Sequence, residues 1–181
     1  CGHGAGSPPA VEGTTQAPSG LAYHAGMNEV TAGTDAPPYA GLTPDVVLNA
    51  LDSDGLHTSG SLLALNSYEN RVFQAGVETA DGGSGFVVAK FYRPGRWSDA
   101  QILEEHAFIA ELAAAEVPAV PPQSLGGRTL STFSEFRFAV FPRRGGRAPL
   151  LDVPEVLVWI GRFLGRLHAV GRARPFRARP A

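Results

Sequence analysis

The chain has 181 residues, of which 44% are hydrophobic and 18% charged, with a formal charge of −2. That is enough for one ordinary domain, and the composition can bury a core, which excludes wholesale disorder. The charge balance argues against a general nucleic-acid binder, no apolar run reaches the ~18 residues of a membrane span, and one cysteine makes neither an internal disulfide nor a cysteine zinc site, which points to an intracellular protein.

Charge is unevenly placed. Residues 1–70 carry seven acids and no base, whereas residues 71–181 carry fifteen bases and ten acids. Fourteen of the bases are arginine, and Lys90 is the only lysine. Codon composition accounts for an arginine bias. A lone lysine within it still raises the question of what a compact ammonium on a flexible stem does there that a planar guanidinium does not. The five histidines, His3, His24, His57, His106 and His168, show no metal-ligand spacing.

Residues 1–41 hold eight Gly, five Pro and eight Ala without a period of 2 or 3.6, and read as a disordered leader or linker. The chain opens on Cys1, and Met27 is the only methionine, so residues 1–26 read as sequence upstream of a possible start. The first ordered element is predicted at Thr43, an N-cap before Pro44 and Asp45, with Val46, Val47, Ala50 and Leu51 on one face and Gly55 as the stop. Three antiparallel strands follow: Ser61–Leu65; Arg71–Val77, with Val72, Ala75 and Val77 marking an imperfect buried face; and Phe86–Tyr92, entered through the turn Asp81–Gly85. Ser98 and Gln101 form a capping-box pattern that opens a helix ending near Glu116, before Val117-Pro118. Two further strands are expected, one around Gln123–Leu125 with Thr129–Phe133 and one at Phe136–Phe141. After a linker comes an amphipathic helix from Pro154 to Val170. The arginine-rich tail, Arg172 to Arg179, reads as a loop with no element of its own. Five strands with one long helix inserted between the third and fourth make an α+β lobe.

Within this plan Lys90 lies in an apolar strand, where an ammonium needs a partner. The next helix supplies it. Glu105 shares a stripe with Ile102, Ile109 and Leu112, the face expected against the sheet. Glu104 aligns with Phe108 and Glu111 and is expected to face solvent. A strand lysine paired with a helix glutamate is how protein kinases hold nucleotide phosphates. The bland alternative is an edge-strand lysine whose stem snorkels to water. The turn 65–71 is not glycine-rich, and by its local sequence reads as an ordinary polar hairpin turn, although Ser67 and nearby N–H groups are able to donate to phosphate oxygens.

The strings LNSYENRVFQ (65–74), FVVAKFYRPGRW (86–97), QILEEHAF (101–108), EVP (116–118), FAVFPRRGGR (138–147) and GRFLGRLHAVG (161–171) closely resemble the bacterial stress response kinase A family, from about Leu42 to Gly171. The resemblance implies a protein-kinase-like, aminoglycoside-phosphotransferase-like N-terminal lobe. It implies ATP- and Mg2+-dependent phosphorylation of serine and threonine in a protein substrate by a cytoplasmic enzyme, monomeric when complete, that binds neither nucleic acid nor membrane. It also implies residue roles. Ser67 matches an ATP-contacting serine, Lys90 the lysine on the α/β-phosphates, Glu105 its helix partner, and Phe138 to Pro142, with Phe141, the hinge where backbone meets adenine.

On this reading residues 1–41 are a leader, 42–141 the N-terminal lobe, 142–153 the hinge and linker, and 154–181 the start of a truncated C-terminal lobe. The family's catalytic loop, His-Gly-Asp-x-His-x-Gly-Asn, does not occur in the 181 residues. His168 is read instead as a packing or capping residue at a helix end. The chain is therefore expected to bind nucleotide weakly, to catalyse nothing by itself and to self-associate through apolar surface on the hinge strand and the last helix. Two rivals stand beside this reading: a small-molecule kinase of the same superfamily acting on amino alcohol, sugar or aminoglycoside hydroxyls, and a non-catalytic binding module.

Overall fold

A computed structural model of the chain describes residues 37–179; the expected leader, up to residue 36, lies outside the described residues. Helix α1 (Pro44–Ser53) starts as its sequence dictates: the Thr43 side chain accepts from the Val46 N–H, proline opens the first turn and Asp45 complements the dipole. Gly55 takes the chain out of the helix at φ +85°, a conformation that favours glycine. Tyr39, assigned above to the linker, packs against the main core, and its hydroxyl donates to the Glu69 carbonyl at 2.9 Å.

Strands β1 (Thr58–Leu65), β2 (Arg71–Glu78), β3 (Ser84–Phe91), β4 (Ser131–Phe133) and β5 (Phe136–Pro142) form one antiparallel sheet in the order β1-β2-β3-β5-β4. β1 is irregular between Thr58 and Leu62, where Gly60 sits at φ +78°. Helix α2 (Asp99–Ala114) is the long insertion after β3, and helix α3 (Pro154–Ala173) follows β5.

The expected strand at Gln123–Leu125 does not form. Pro118, Pro121 and Pro122 lack the N–H groups a ladder needs, and the segment ends in a lone bridge from Leu125 to Arg128. One ladder-like bond survives, from the Gln123 N–H to the Val140 carbonyl at 2.7 Å.

The sheet's two faces do different work. On one, Ala75, Val77, Val87, Ala89, Phe91, Phe138 and Val140 pack with Val47, Ala50 and Leu51 of α1 into the main core, with Phe91 stacked on Phe138 at 5.2 Å. On the other, Tyr92 and Ala139 pack against Ile102 of α2, with Trp97, Leu130 and Phe141 around them. Val72 belongs to this second face, because it pairs in register with Lys90. The sequence placed it with Ala75 and Val77, but strand period puts it on the opposite side.

α3 runs three residues past the expected end and buries no residue completely. His168 therefore lies inside the helix, exposed, beside a groove that it lines with Phe108, Leu167 and Gly171. The helix-end position expected of it is not realised, because the helix continues to Ala173. No helix among the described residues is long and apolar enough to cross a membrane.

Candidate functional site

Lys90 projects from β3 on the α2 side of the sheet. Its Nζ donates to Glu105 Oε1 at 2.9 Å and lies 4.7 Å from the centroid of the Tyr92 ring. The two side chains of the ion pair remain 22% and 23% exposed, so the pair is neither sealed in the core nor spread into solvent. Glu105 is delivered by the capping box that fixes the start of α2: Ser98 Oγ accepts from the Gln101 N–H, and the Gln101 side chain accepts from the Ser98 N–H.

Beside the pair, α2 covers only part of the sheet face. Register places Val72 opposite Lys90, and Phe141 opposite Val88 two residues before it, so Val72, Val88, Lys90 and Phe141 share one face. All four are half-buried. An ammonium at the edge of an apolar half-covered floor suits a ligand that is flat at one end and anionic at the other.

The turn between β1 and β2 lies at the same end of the sheet, since Leu65 pairs with Val72. Ser67 closes this turn, its hydroxyl donating to the Asn70 carbonyl at 2.5 Å. It makes no hydrogen bond to Lys90 or Glu105, and donating to an incoming oxygen would require its hydroxyl to leave Asn70. Glu69 ties the turn to the β3–α2 connection by accepting from Arg96 Nε at 3.0 Å and Trp97 Nε1 at 3.1 Å. An open depression of about 710 Å3 lies there, between Tyr68, Glu69, Arg93, Pro94, Gly95 and Arg96. It contains neither Lys90 nor Glu105, and its width reflects the exposed turn more than an enclosed site.

Several neighbours were not foreseen. Tyr92 lies two residues beyond Lys90 on the same face, and its hydroxyl meets His106 Nε2 at 2.7 Å, while His106 Nδ1 meets Thr129 Oγ1 at 2.9 Å. Burial holds the His106 pKa below its ordinary value, with Lys90 adding to the effect and Glu105 opposing it. Burial, and next the nearby Glu105 charge, push the Tyr92 phenol well above its usual range. Glu104 is not the solvent-facing residue expected: its carboxylate accepts the backbone N–H groups of Arg177, Ala178 and Arg179 at 2.6, 2.9 and 2.9 Å. These bonds, that from Arg177 foremost, lower its pKa. Arg179 also pairs with Glu105 Oε2. The period of α2 indicated which of its residues face away from the sheet, but not that the tail returns to meet them.

Among the described residues no group of three or more His, Cys, Asp or Glu side chains is placed to hold a metal ion.

A five-stranded antiparallel sheet whose third strand carries a lysine tied to a helix glutamate defines the kinase-like class of phosphotransferase lobe. The chain belongs to the phosphotransferase enzyme family, whose sequence profile matches residues 61–181. It is 44% identical over 139 residues to a stress response kinase A of Salmonella choleraesuis and to a serine/threonine protein kinase RdoA of Salmonella typhimurium, and 45% identical to a stress response kinase A of Shigella flexneri. Each match covers 77% of this chain and 41% of the relative, so the chain spans about two fifths of the length of the curated relatives it matches. Among solved structures, the amicoumacin kinase hAmiN in complex with AMP-PNP, Ca2+ and Ami superimposes with a TM-score of 0.59 at 18% identity, over 74% of this chain and 41% of that one. That likeness shows the fold.

Proposed function

We propose that residues 42–141 form the nucleotide-gripping lobe of an ATP- and Mg2+-dependent serine/threonine protein kinase of the cytoplasm, with 142–153 as the hinge and 154–181 opening the second lobe. The observation that carries the reading is the Lys90 ammonium, held at 2.9 Å by Glu105 on a half-covered apolar floor. Lys90 neutralises α/β-phosphate charge, Glu105 keeps the ammonium from folding onto the sheet, and Val72, Val88 and Phe141 take the adenine end. Ser67 and the N–H groups of its turn reach the phosphates from above. Phosphoryl transfer needs metal, base and positioning together. The described residues supply positioning, so the magnesium ligands and the base are expected outside them, and turnover by these 181 residues alone is not expected. Protein rather than small-molecule acceptors are favoured by the identity to the kinase relatives named above.

The test is titration of the full chain with ATP by calorimetry, beside Lys90→Ala. Saturable binding that the substitution weakens tenfold or more supports the reading; equal binding by both proteins sinks it.

A further inference from the structure

The segment after α3 runs back along α2. Arg166 Nη2 of α3 donates to the Ala115 and Glu116 carbonyls at the end of α2, both at 2.9 Å. Arg174 pairs with Glu111, Phe176 meets Phe108 edge-on at 5.2 Å, and the Arg177–Arg179 backbone meets Glu104. Gln101 Nε2 donates to the Ala178 carbonyl at 3.0 Å, and Arg179 Nε donates back to the Gln101 carbonyl at 3.2 Å. The residues of α2 that are held, 101, 104, 108 and 111, follow each other at spacings of three and four. That is one continuous stripe of the helix.

The returning segment ends at the Lys90–Glu105 pair. Glu105 gives Oε1 to Lys90 and Oε2 to Arg179, whose guanidinium also lies 4.5 Å from the centroid of the Trp97 ring. Trp97 in turn donates to Glu69 in the β1–β2 turn. A carboxylate held through one oxygen alone is free to rotate about its last bond, whereas one held through both is fixed in plane. A planar fork stacked on an indole suits that task better than an ammonium does.

We infer that the strap Arg174–Arg179 holds α2 against the sheet and that Arg179 is a positioning residue, which aims Glu105 at Lys90. This deepens the nucleotide-site reading and rests on it for its consequence, tighter ATP binding when the strap is docked.

Because Lys90 is the only lysine, its amine is readable alone. The rate at which an amine-reactive acylating reagent modifies Lys90, followed by peptide mass spectrometry on the full chain, reports how firmly Glu105 holds it. Arg179→Ala and Glu104→Gln are expected to raise that rate several-fold, with Arg179→Lys, whose added amine falls on a separate peptide and is counted apart at low conversion, between them and wild type, and Arg162→Ala, on exposed α3, unchanged. ATP affinity is expected to fall about tenfold in Arg179→Ala. If Lys90 reacts at the wild-type rate in folded Arg179→Ala and Glu104→Gln, the strap is a passive cover and the inference is overturned. Full recovery in Arg179→Lys also overturns the positioning role, because charge alone then suffices. A wild-type chain that binds no ATP, yet whose Lys90 reactivity depends on Arg179, removes the nucleotide reading and supports the strap's hold on Glu105.

Discussion

Lys90 and Glu105 lie on different elements, fifteen residues apart, and meet at 2.9 Å. Each is the other's reason for tolerating partial burial, so their substitutions should not be additive. Hydrogen bonds to charged groups contribute about 1.5–3 kcal/mol, so Lys90→Ala should weaken ATP binding roughly 10- to 100-fold. Glu105→Gln keeps the shape and removes the charge, and should weaken it less. In the double variant Glu105→Gln should add little, since its effect acts through Lys90. A double-mutant cycle by calorimetry checks this; strict additivity would mean that the two residues act separately.

Why this pair was readable, and the strap was not, follows from the range of the signals. Lys90 stands out as a charge in an apolar run, and Glu105 as the acid on the apolar stripe of the next helix; both are local patterns of period 2 and 3.6. The face of Val72 was misread because three small apolar residues, Val72, Ala75 and Val77, obscure a strict alternation. Gln123–Leu125 misled because nothing within those three residues opposes a strand, while the prolines before it remove the donors. The docking of Arg177–Arg179 on Glu104 joins residues more than seventy positions apart through backbone N–H groups. Backbone donors carry no sequence signature, so composition left only an arginine-rich tail.

His106 predicts a pH dependence of stability. Its folded pKa lies below the ordinary 6.5 because burial disfavours the charged ring. The unfolded chain therefore binds a proton that the native state resists, and stability falls with pH in that window. The contribution should be complete above about pH 6.5 and should be lost as pH drops through the lower folded value. Denaturant melts from pH 7.5 to 5 should show wild type losing more stability than His106→Gln. Parallel losses in both proteins would assign the slope to other groups.

β5 separates folding from binding by alternation. Phe138 is fully buried in the main core against Phe91, whereas Phe141 is half-buried on the Lys90 face. Phe138→Ala should cost about 3–5 kcal/mol, the usual loss for a large core aromatic. Phe141→Ala should cost clearly less stability and still weaken ATP binding, because its ring belongs to the proposed adenine floor. Urea melts paired with ATP titrations test both. Equal stability losses from the two substitutions would contradict the assignment of faces.

α3 predicts association. Leu157, Val158 and Trp159 are 51%, 54% and 59% exposed on one helix that buries no residue completely. Trp159 also stacks on Phe163 at 5.9 Å, which extends the apolar surface along the next turn. Exposed apolar side chains of this kind favour removal from water by contact with another surface. Sedimentation velocity on the 181-residue chain should show a mean mass that rises with concentration. The double substitution Leu157→Glu with Trp159→Gln should reduce that rise and leave the melting temperature nearly unchanged, because neither side chain contributes to a core. A monodisperse wild-type monomer across the same concentrations would show that the α3 surface is too small or too broken to drive association.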